Sequence, residues 1–473
     1  MKLKHVVASM TVLGLISCPV FAANTDTTTT TTTTEAEAAT PTKHKHHAHH
    51  HHNIVEVSHV ERTVEVTHDY KDMGALPVVE LPRLDVFQTI YDSMSQNSGR
   101  SKPMPDWFNR IGLSGGINFD AHWGNRSMGY QGENNRRLSL NDAYLNAQVV
   151  VNDWTRGFTS FSFENNSVAI PTSLTTVGAS PKAGTYSTAY NSGTTVNTNV
   201  HFEQGFVTIA NYEVSPLFFQ IGKQFTSYGR YQIHPIERSL TEVATESLQT
   251  SAKLGFITRM GLHGDIYAFD NAMQLVTQSH TKTVYGASLG FDQINDQLGF
   301  DVGLGYMSQL TGVNDIAYSV TNFRGAATFT HTVGGIAVYG DVNSGPFTLS
   351  GRFSTAIQHF SPADLSTLYN PPVTPLATVG ASGARPWTAD LTAGFGFNYW
   401  ARNQNLYVGF QASNDAVNLY LPKNRWIAGY NIDMWKYTNI GAEFGHDKDY
   451  SSGNGGTGRS SNTFAARASV KFG

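Results

Sequence analysis

Three things are scarce in this 473-residue chain, and each scarcity excludes a class of protein. There is one cysteine, which excludes a disulfide framework and a cysteine-based zinc site. Charged residues make up 14%, far below the ~25% of ordinary soluble domains. The formal net charge is −4, so the basic footprint of a nucleic-acid-binding protein is missing. Apolar runs are also short. A membrane-spanning helix needs ~20 consecutive apolar residues, and only the N-terminus comes near that length.

What is abundant is aromatic residues, at 12%, and glycine, with 44 residues, above the ~7% usual frequency. The N-terminus reads as a secretory signal over residues 1–22. Lys2, Lys4 and His5 form a basic start, 6–16 an apolar core, and Val20-Phe21-Ala22 a small-residue cleavage pattern. Leu15-Ile16-Ser17-Cys18 also resembles a lipoprotein box, in which Cys18 would carry lipid. Residues 23–53 are low in complexity, with eight consecutive threonines at 27–34 and seven of the 18 histidines. Such a segment cannot bury an apolar core and is expected to be disordered. The histidines His44, His46, His47, His49, His50, His51 and His52 carry the imidazole chemistry that binds a divalent metal; a polar spacer is the other reading. No other cofactor is expected. Residues 54–106 form a short intermediate segment, with one candidate helix at 84–94, and are expected to lie in the periplasm.

From Ile111 onward the pattern has period two. Ile111, Leu113, Gly115, Ile117, Phe119, Ala121 and Trp123 alternate with Gly112, Ser114, Gly116, Asn118, Asp120 and His122. Such alternation marks a strand with one apolar and one polar face. About sixteen strands are expected, starting near residues 110, 138, 157, 200, 216, 251, 264, 282, 297, 331, 346, 386, 404, 425, 436 and 461. Their connections alternate between long (165–199, 226–250, 311–328, 359–385) and short (152–156, 292–296, 341–345, 400–403). An even strand count with loop length sorted by side is the pattern of a bacterial outer-membrane barrel. The expected fold is therefore all-β: a transmembrane antiparallel β-barrel over 107–473, with a disordered N-terminal extension. Trp387 and Tyr399 would span about 40 Å at ~3.3 Å per residue. Tilted by roughly 40°, that covers the ~25 Å apolar band of such barrels.

By parity, Asp120, His122, Gln220, Arg352, Asp390, Asp433, Glu443, Arg467 and Lys471 face the lumen, where charges either set selectivity or brace the inner wall. Two motifs look catalytic and are read as incidental. Gly286-Ala287-Ser288-Leu289-Gly290 lies within an expected strand, without the strand–turn–helix that a nucleophile elbow needs. The G-x-G-x-x-G at 453–458 lies in the last loop, outside any βαβ unit. No enzyme is expected. The loop 226–250 is the most informative. Ser239 can cap a short helix over 239–248, with Glu242 as its third-position acid. If the loop folds into the barrel, Arg230, Tyr231, His234 and Arg238 would suit an anionic ligand, because Arg forks match carboxylates. An outward loop of ordinary polar residues is equally open.

From this loop outward the chain resembles the LbtU-type siderophore porins of Gram-negative bacteria. The likeness rests on Gly222-Lys223-Gln224-Phe225, Tyr228-Gly229-Arg230-Tyr231, His234-Pro235-Ile236, Ser239-Leu240-Thr241 and, before the barrel, Leu81-Pro82-Arg83-Leu84. It implies an outer-membrane barrel, embedded in lipid, that takes up an iron–siderophore complex or another small solute. The Thr/His tract matches nothing in that pattern. Energised siderophore receptors carry a plug domain inside a 22-stranded barrel. The segment before Ile111 is short for a plug, so facilitated diffusion is expected. Porin barrels often trimerise, and a homo-trimer is compatible with this reading.

Overall fold

The computed structural model describes residues 111–472 apart from 125–135, 165–198, 213, 231–235, 259, 279, 295–297, 369–381 and 436. The signal sequence, Cys18, the Thr/His tract and the 84–94 helix therefore lie outside the described residues.

The described chain is almost entirely strand. In order, the elements are β1 (Ile111–Gly124), β2 (Arg136–Val150), β3 (Thr155–Glu164), β4 (Asn199–Ala210), β5 (Leu217–Phe225), helix α1 (Leu240–Thr245), β6 (Leu248–Ile257), β7 (Leu262–Leu275), β8 (Thr281–Ile294) and β9 (Gly299–Met307). Helix α2 (Asn314–Arg324) follows, then β10 (Thr328–Phe329), β11 (Gly335–Ser344), β12 (Phe347–Ala356), β13 (Trp387–Tyr399), β14 (Arg402–Asn414), β15 (Asn424–Trp435), β16 (Thr438–Lys448) and β17 (Ser460–Phe472). Sixteen of these strands pair antiparallel with their neighbours around a closed ring, in which β9 pairs β11 and β1 pairs both β2 and β17. The remaining strand, β10, adds two parallel pairs to the upper edge of β7. The expected barrel and strand count are as observed, and each expected start lies within a few residues of the true one.

The reason these residues form strands is the alternation itself. In β13 the burial pattern alternates along Ala389 to Phe397, with Leu391, Ala393 and Phe395 exposed and Asp390, Thr392 and Gly394 buried. In β1, Ile117, Phe119 and Trp123 are exposed while Asn118 and Asp120 are buried. The large apolar side chains thus face outward, the reverse of a soluble core, and an exterior of this kind needs a hydrocarbon surrounding. Aromatic residues gather towards the two rims. Trp154, Phe347, Tyr399, Trp400, Trp435 and Tyr437 lie near the short turns, and Trp123, Trp426 and Phe464 near the long loops.

The rims are sorted as expected, with one exception. The turns 151–154, 211–216, 258–261, 295–298, 345–346, 400–401 and 436–437 share one rim, and the longer connections share the other. The exception is 276–280, a short turn on the long-loop side. There the β7–β8 hairpin continues upward as a polar ribbon in which Thr283 donates to Asp270 at 2.9 Å. In the 400–401 turn both Trp400 and Ala401 have positive φ, of 56° and 55°. This is the turn whose twist matches a two-residue hairpin.

A charge on the outer face tests the inside-out assignment. Leu391→Arg, in mid-strand on β13, is expected to cost about 2–4 kcal/mol in lipid. Thr392→Ser, one residue away on the inner face, should cost well under that. Urea titration of protein refolded into vesicles, read by heat-modifiable gel migration, measures both.

Candidate functional site

The described parts of the segment between β5 and β6, 226–230 and 236–247, fold into the barrel, which is the inward one of the two alternatives left open by its sequence. Its root is tight. Thr226 donates its N–H to Ser247 O at 2.8 Å, and Tyr228 is buried against the wall. Wall glycines make this approach feasible. A Cβ on Gly305 of β9 would collide with the Tyr228 carbonyl, and one on Gly335 of β11 with its hydroxyl. Burial in that apolar setting raises the Tyr228 hydroxyl pKa far above its ordinary value, so it stays neutral.

The tip of the segment is helix α1. Ser239 caps it by accepting the Glu242 N–H at 3.1 Å. The helix is shorter than expected, ending at Thr245, because Glu246 turns extended and Leu248 already belongs to β6.

What holds the segment is a set of wall side chains that bond to its main chain. Glu443 of β16 accepts the N–H of Ile236 at 2.9 Å and of Glu237 at 3.2 Å, and the Tyr407 hydroxyl at 2.7 Å. Gln411 of β14 accepts from Leu240 N at 3.2 Å. Asp390 of β13 accepts from Thr241 N at 3.2 Å and from its hydroxyl. The carbonyls are gripped in turn. Arg467 donates to Ile236 O at 3.2 Å, Arg425 to Arg238 O at 2.9 Å and Arg352 to Arg230 O at 3.1 Å.

The residues singled out from the sequence fall as follows. Asp120 and Arg467 are in register across the β1–β17 seam and form a bidentate pair at 2.7 Å for both bonds. Arg352 makes two bonds to Asp341, at 2.9 and 2.8 Å. Asp390 carries the α1 contacts. Arg230 pairs with Asp301 of β9 and lies over the Tyr339 ring, 5.1 Å from its centroid. Arg238 is shared by Glu242 at 2.9 Å, Glu246 at 2.5 Å and Asp315 of α2 at 3.1 Å. The two arginines expected to meet an anionic ligand are therefore both held by carboxylates of the protein. Tyr231 and His234 lie outside the described residues, as do His44, His46, His47, His49, His50, His51 and His52. No group of metal-binding side chains occurs among the described residues. The G-x-S-x-G lies within β8, and the 453–458 motif lies in the β16–β17 loop, with no βαβ unit around it.

The second inward piece, 308–334, is the one that sequence reading missed. Its Val313, Ile316, Ala317 and Val320 are buried at the i, i+3, i+4, i+7 spacing of an amphipathic helix, a signal present in the sequence. They pack with Leu240 and Val243 of α1, with Tyr267, Phe269 and Met273 of β7, and with Leu419 and Leu421 of the β14–β15 loop as one apolar cluster. The two inward pieces are also tied directly: Ser247 donates to Gly312 O at 2.7 Å, and Asn314 N to Glu246 O at 2.9 Å.

The chain has partial likenesses to known proteins. No family model matches the chain. The UPF0422 protein of Coxiella burnetii is 21% identical over 351 residues, covering 74% of this chain and 66% of that protein. The UPF0422 protein of Legionella pneumophila (strain Philadelphia 1) is 28% identical over 303 residues, covering 58% of this chain and 54% of that protein. The chain thus spans between about half and two thirds of the length of the curated relatives it matches. Among solved structures, an anion-selective porin from Comamonas acidovorans aligns with a TM-score of 0.49 at 11% identity, covering 76% of this chain and 99% of that one.

Two outcomes follow from these contacts. Asp120→Ala leaves Arg467 buried and unpaired, an expected loss of about 3–5 kcal/mol. Asp120→Leu with Arg467→Met should recover most of it, as read by urea titration. The second concerns Glu237, whose carboxyl lies in the inward segment. Burial raises its pKa, but the hydrogen bond from His122 (2.8 Å) and its charge outweigh burial, so the net shift is downward. A depressed carboxylate contributes stability above its unfolded value of about 4.3 and loses it as pH falls through the lower folded value. Hydrogen-exchange protection of 236–247 should therefore fall below about pH 4.3 by more than it does in Glu237→Gln.

Proposed function

We propose that this chain is a channel of a Gram-negative outer membrane that passes a small solute by facilitated diffusion, and that it is not an enzyme. The observation that carries this reading is the closed sixteen-strand ring, apolar outside and polar inside, with a segment folded inward and fastened to the opposite wall. A fixed inward segment narrows the passage and sets which solutes contact protein groups. The relatives come from Gram-negative bacteria, which supports the same location.

Within this reading, a ferric siderophore is the solute we favour. The support is the resemblance carried by Gly222-Lys223-Gln224-Phe225 and Tyr228-Gly229-Arg230-Tyr231, which sit at the root of the inward segment. A general porin and a metal-capturing surface protein that uses the His-rich tract are the other readings. The test is uptake into proteoliposomes. Flux of radiolabelled ferric siderophore above protein-free vesicles is expected, alongside osmotic swelling with small neutral solutes. Swelling without siderophore flux would retain the channel and discard the siderophore. Flux of neither would discard the channel. Deletion of 44–52 should leave flux unchanged and remove whatever divalent metal the histidines retain.

A further inference from the structure

The charges on the inner face of the barrel do not balance. Within the strands of one half of the ring, β12 to β17 and β1, three arginines each take one carboxylate: Arg352 takes Asp341, Arg425 takes Asp447 and Arg467 takes Asp120. Three further carboxylates have the same inward parity on these strands: Asp390 of β13, Asp433 of β15 and Glu443 of β16. Among the described residues none of the three forms an ion pair. Lys471 of β17, opposite Gly116, is the one other inward cation on these strands.

What the three bond to is neutral. Asp390 accepts from the N–H and hydroxyl of Thr241, and Glu443 from two main-chain N–H groups and the Tyr407 hydroxyl. Asp433 accepts from the Asn439 amide at 3.0 Å. Donors pointed at a carboxylate suit its charged form. A neutral donor stabilises that charge without cancelling it, so the negative charge remains in the field of the lumen.

The pieces inside the ring and the other half of the wall repeat the imbalance. The segment 226–247 carries Glu237, Glu242 and Glu246 against Arg230 and Arg238. Helix α2 turns Asp315 towards Arg238 at 3.1 Å, while its own Arg324 is taken by Asp364 at 2.9 Å. The inward faces of β6 to β9 carry Asp265, Asp292 and Asp301 against Lys253. Among the strand residues whose side chains are described, the inward cations outside these groups are Arg156 of β3 and Lys282 on the β7–β8 ribbon, which donates to Thr332 at 2.6 Å. The carboxylates therefore remain in excess when the whole described interior is counted.

We propose that the passage prefers cations to anions, and that Asp433, half-exposed near the short-turn end of β15, is the member of the surplus that acts most directly on a passing ion. A water-filled path between low-dielectric walls focuses the field of fixed charges, and inward carboxylates select cations in this way. The proposal rests on the channel reading and is independent of which solute is carried. It reverses the anionic ligand expected for Arg230 and Arg238, since carboxylates of the protein hold both. A solute of net positive charge gains over an anion of the same size.

The test uses the full chain in planar bilayers of uncharged lipid, with a potassium chloride gradient at about pH 8, where carboxylates are charged. The zero-current potential gives the ratio of potassium to chloride permeability. Before screening, a unit charge about 10 Å away in water changes the local concentration of a univalent ion about twofold, in opposite senses for the two ions. Potassium should therefore pass in preference. Asp433→Asn should lower the permeability ratio by about twofold to fourfold, Asp433→Lys should lower it further, and Lys471→Gln should raise it. The preference should shrink as salt approaches about 1 M, where the screening length is ~3 Å. Heat-modifiable migration checks that each variant is folded. A zero-current potential of the chloride sign, or none, in a conducting barrel overturns the preference and leaves the channel standing. A ratio unmoved by both Asp433 substitutions overturns the role given to Asp433. No conductance at all discards the channel and the preference with it.

Discussion

Closure of the sheet is the constraint on which everything else rests. In hydrocarbon a backbone N–H or C=O without a partner costs several kcal/mol, so an open sheet edge is not tolerated. The ladder between β1 and β17, from Gly115↔Phe472 to Gly124↔Thr463, joins residues separated by most of the barrel sequence and removes the last two edges. At the middle of that seam sits the bidentate Asp120–Arg467 pair. A buried ion pair is weak evidence for net stability but strong evidence for register, since displacing either partner leaves an uncompensated charge. Slippage by one residue would also turn Ile117, Phe119 and Trp123 inward. The ion pair and the outward apolar row therefore specify the same alignment.

Once the ring is closed, its inside has to be accounted for. A barrel of sixteen strands is too wide for wall side chains alone to fill. Here two inward pieces occupy it, and they are joined to the wall in different ways. Helix α2 and its flanks pack through Val313, Ile316 and Val320 into an apolar cluster with β7 and α1. The segment 226–247 adds hydrogen bonds and ion pairs to the apolar contacts of its Tyr228, Leu240 and Val243 in that cluster. Arg230, Arg238, Arg352, Arg425 and Arg467 all turn inward onto Asp or Glu.

Much of this is written locally and could be read from the chain. The period-two alternation of β1, β12, β13, β14 and β17 requires no tertiary information, because lipid and lumen are on opposite sides of every strand. The Ser239 cap was equally legible, since it depends on residues three apart. What was not legible is the pairing of long side chains. Arg352 and Asp390 are in register on adjacent strands, and strand pattern alone would couple them. Arg352 instead reaches Asp341, and Asp390 reaches Thr241 of the inward helix. Arg230 and Asp301 meet across three intervening strands only because the ring closes and the segment folds in. Helix α2 is a different case. Its apolar spacing was present, but a run of strands on both sides made a long loop the simpler reading.

The inward segment is fastened through its main chain and its side chains alike. Glu443, Gln411 and Asp390 take main-chain N–H groups of Ile236, Glu237, Leu240 and Thr241, and Arg467, Arg425 and Arg352 take carbonyls of Ile236, Arg238 and Arg230. Every residue except proline offers the same N–H, and every residue the same carbonyl. The six wall side chains that grip the main chain would make these particular bonds with most residues at those positions. Asp390 lies at the N-terminal end of α1, where unpaired N–H groups and the helix dipole both favour an anion. The side chains of the segment are engaged as well: Arg230 and Arg238 by carboxylates, Glu237 by His122, Thr241 by Asp390, and Leu240 and Val243 by the apolar cluster, so main chain and side chains fix the segment together.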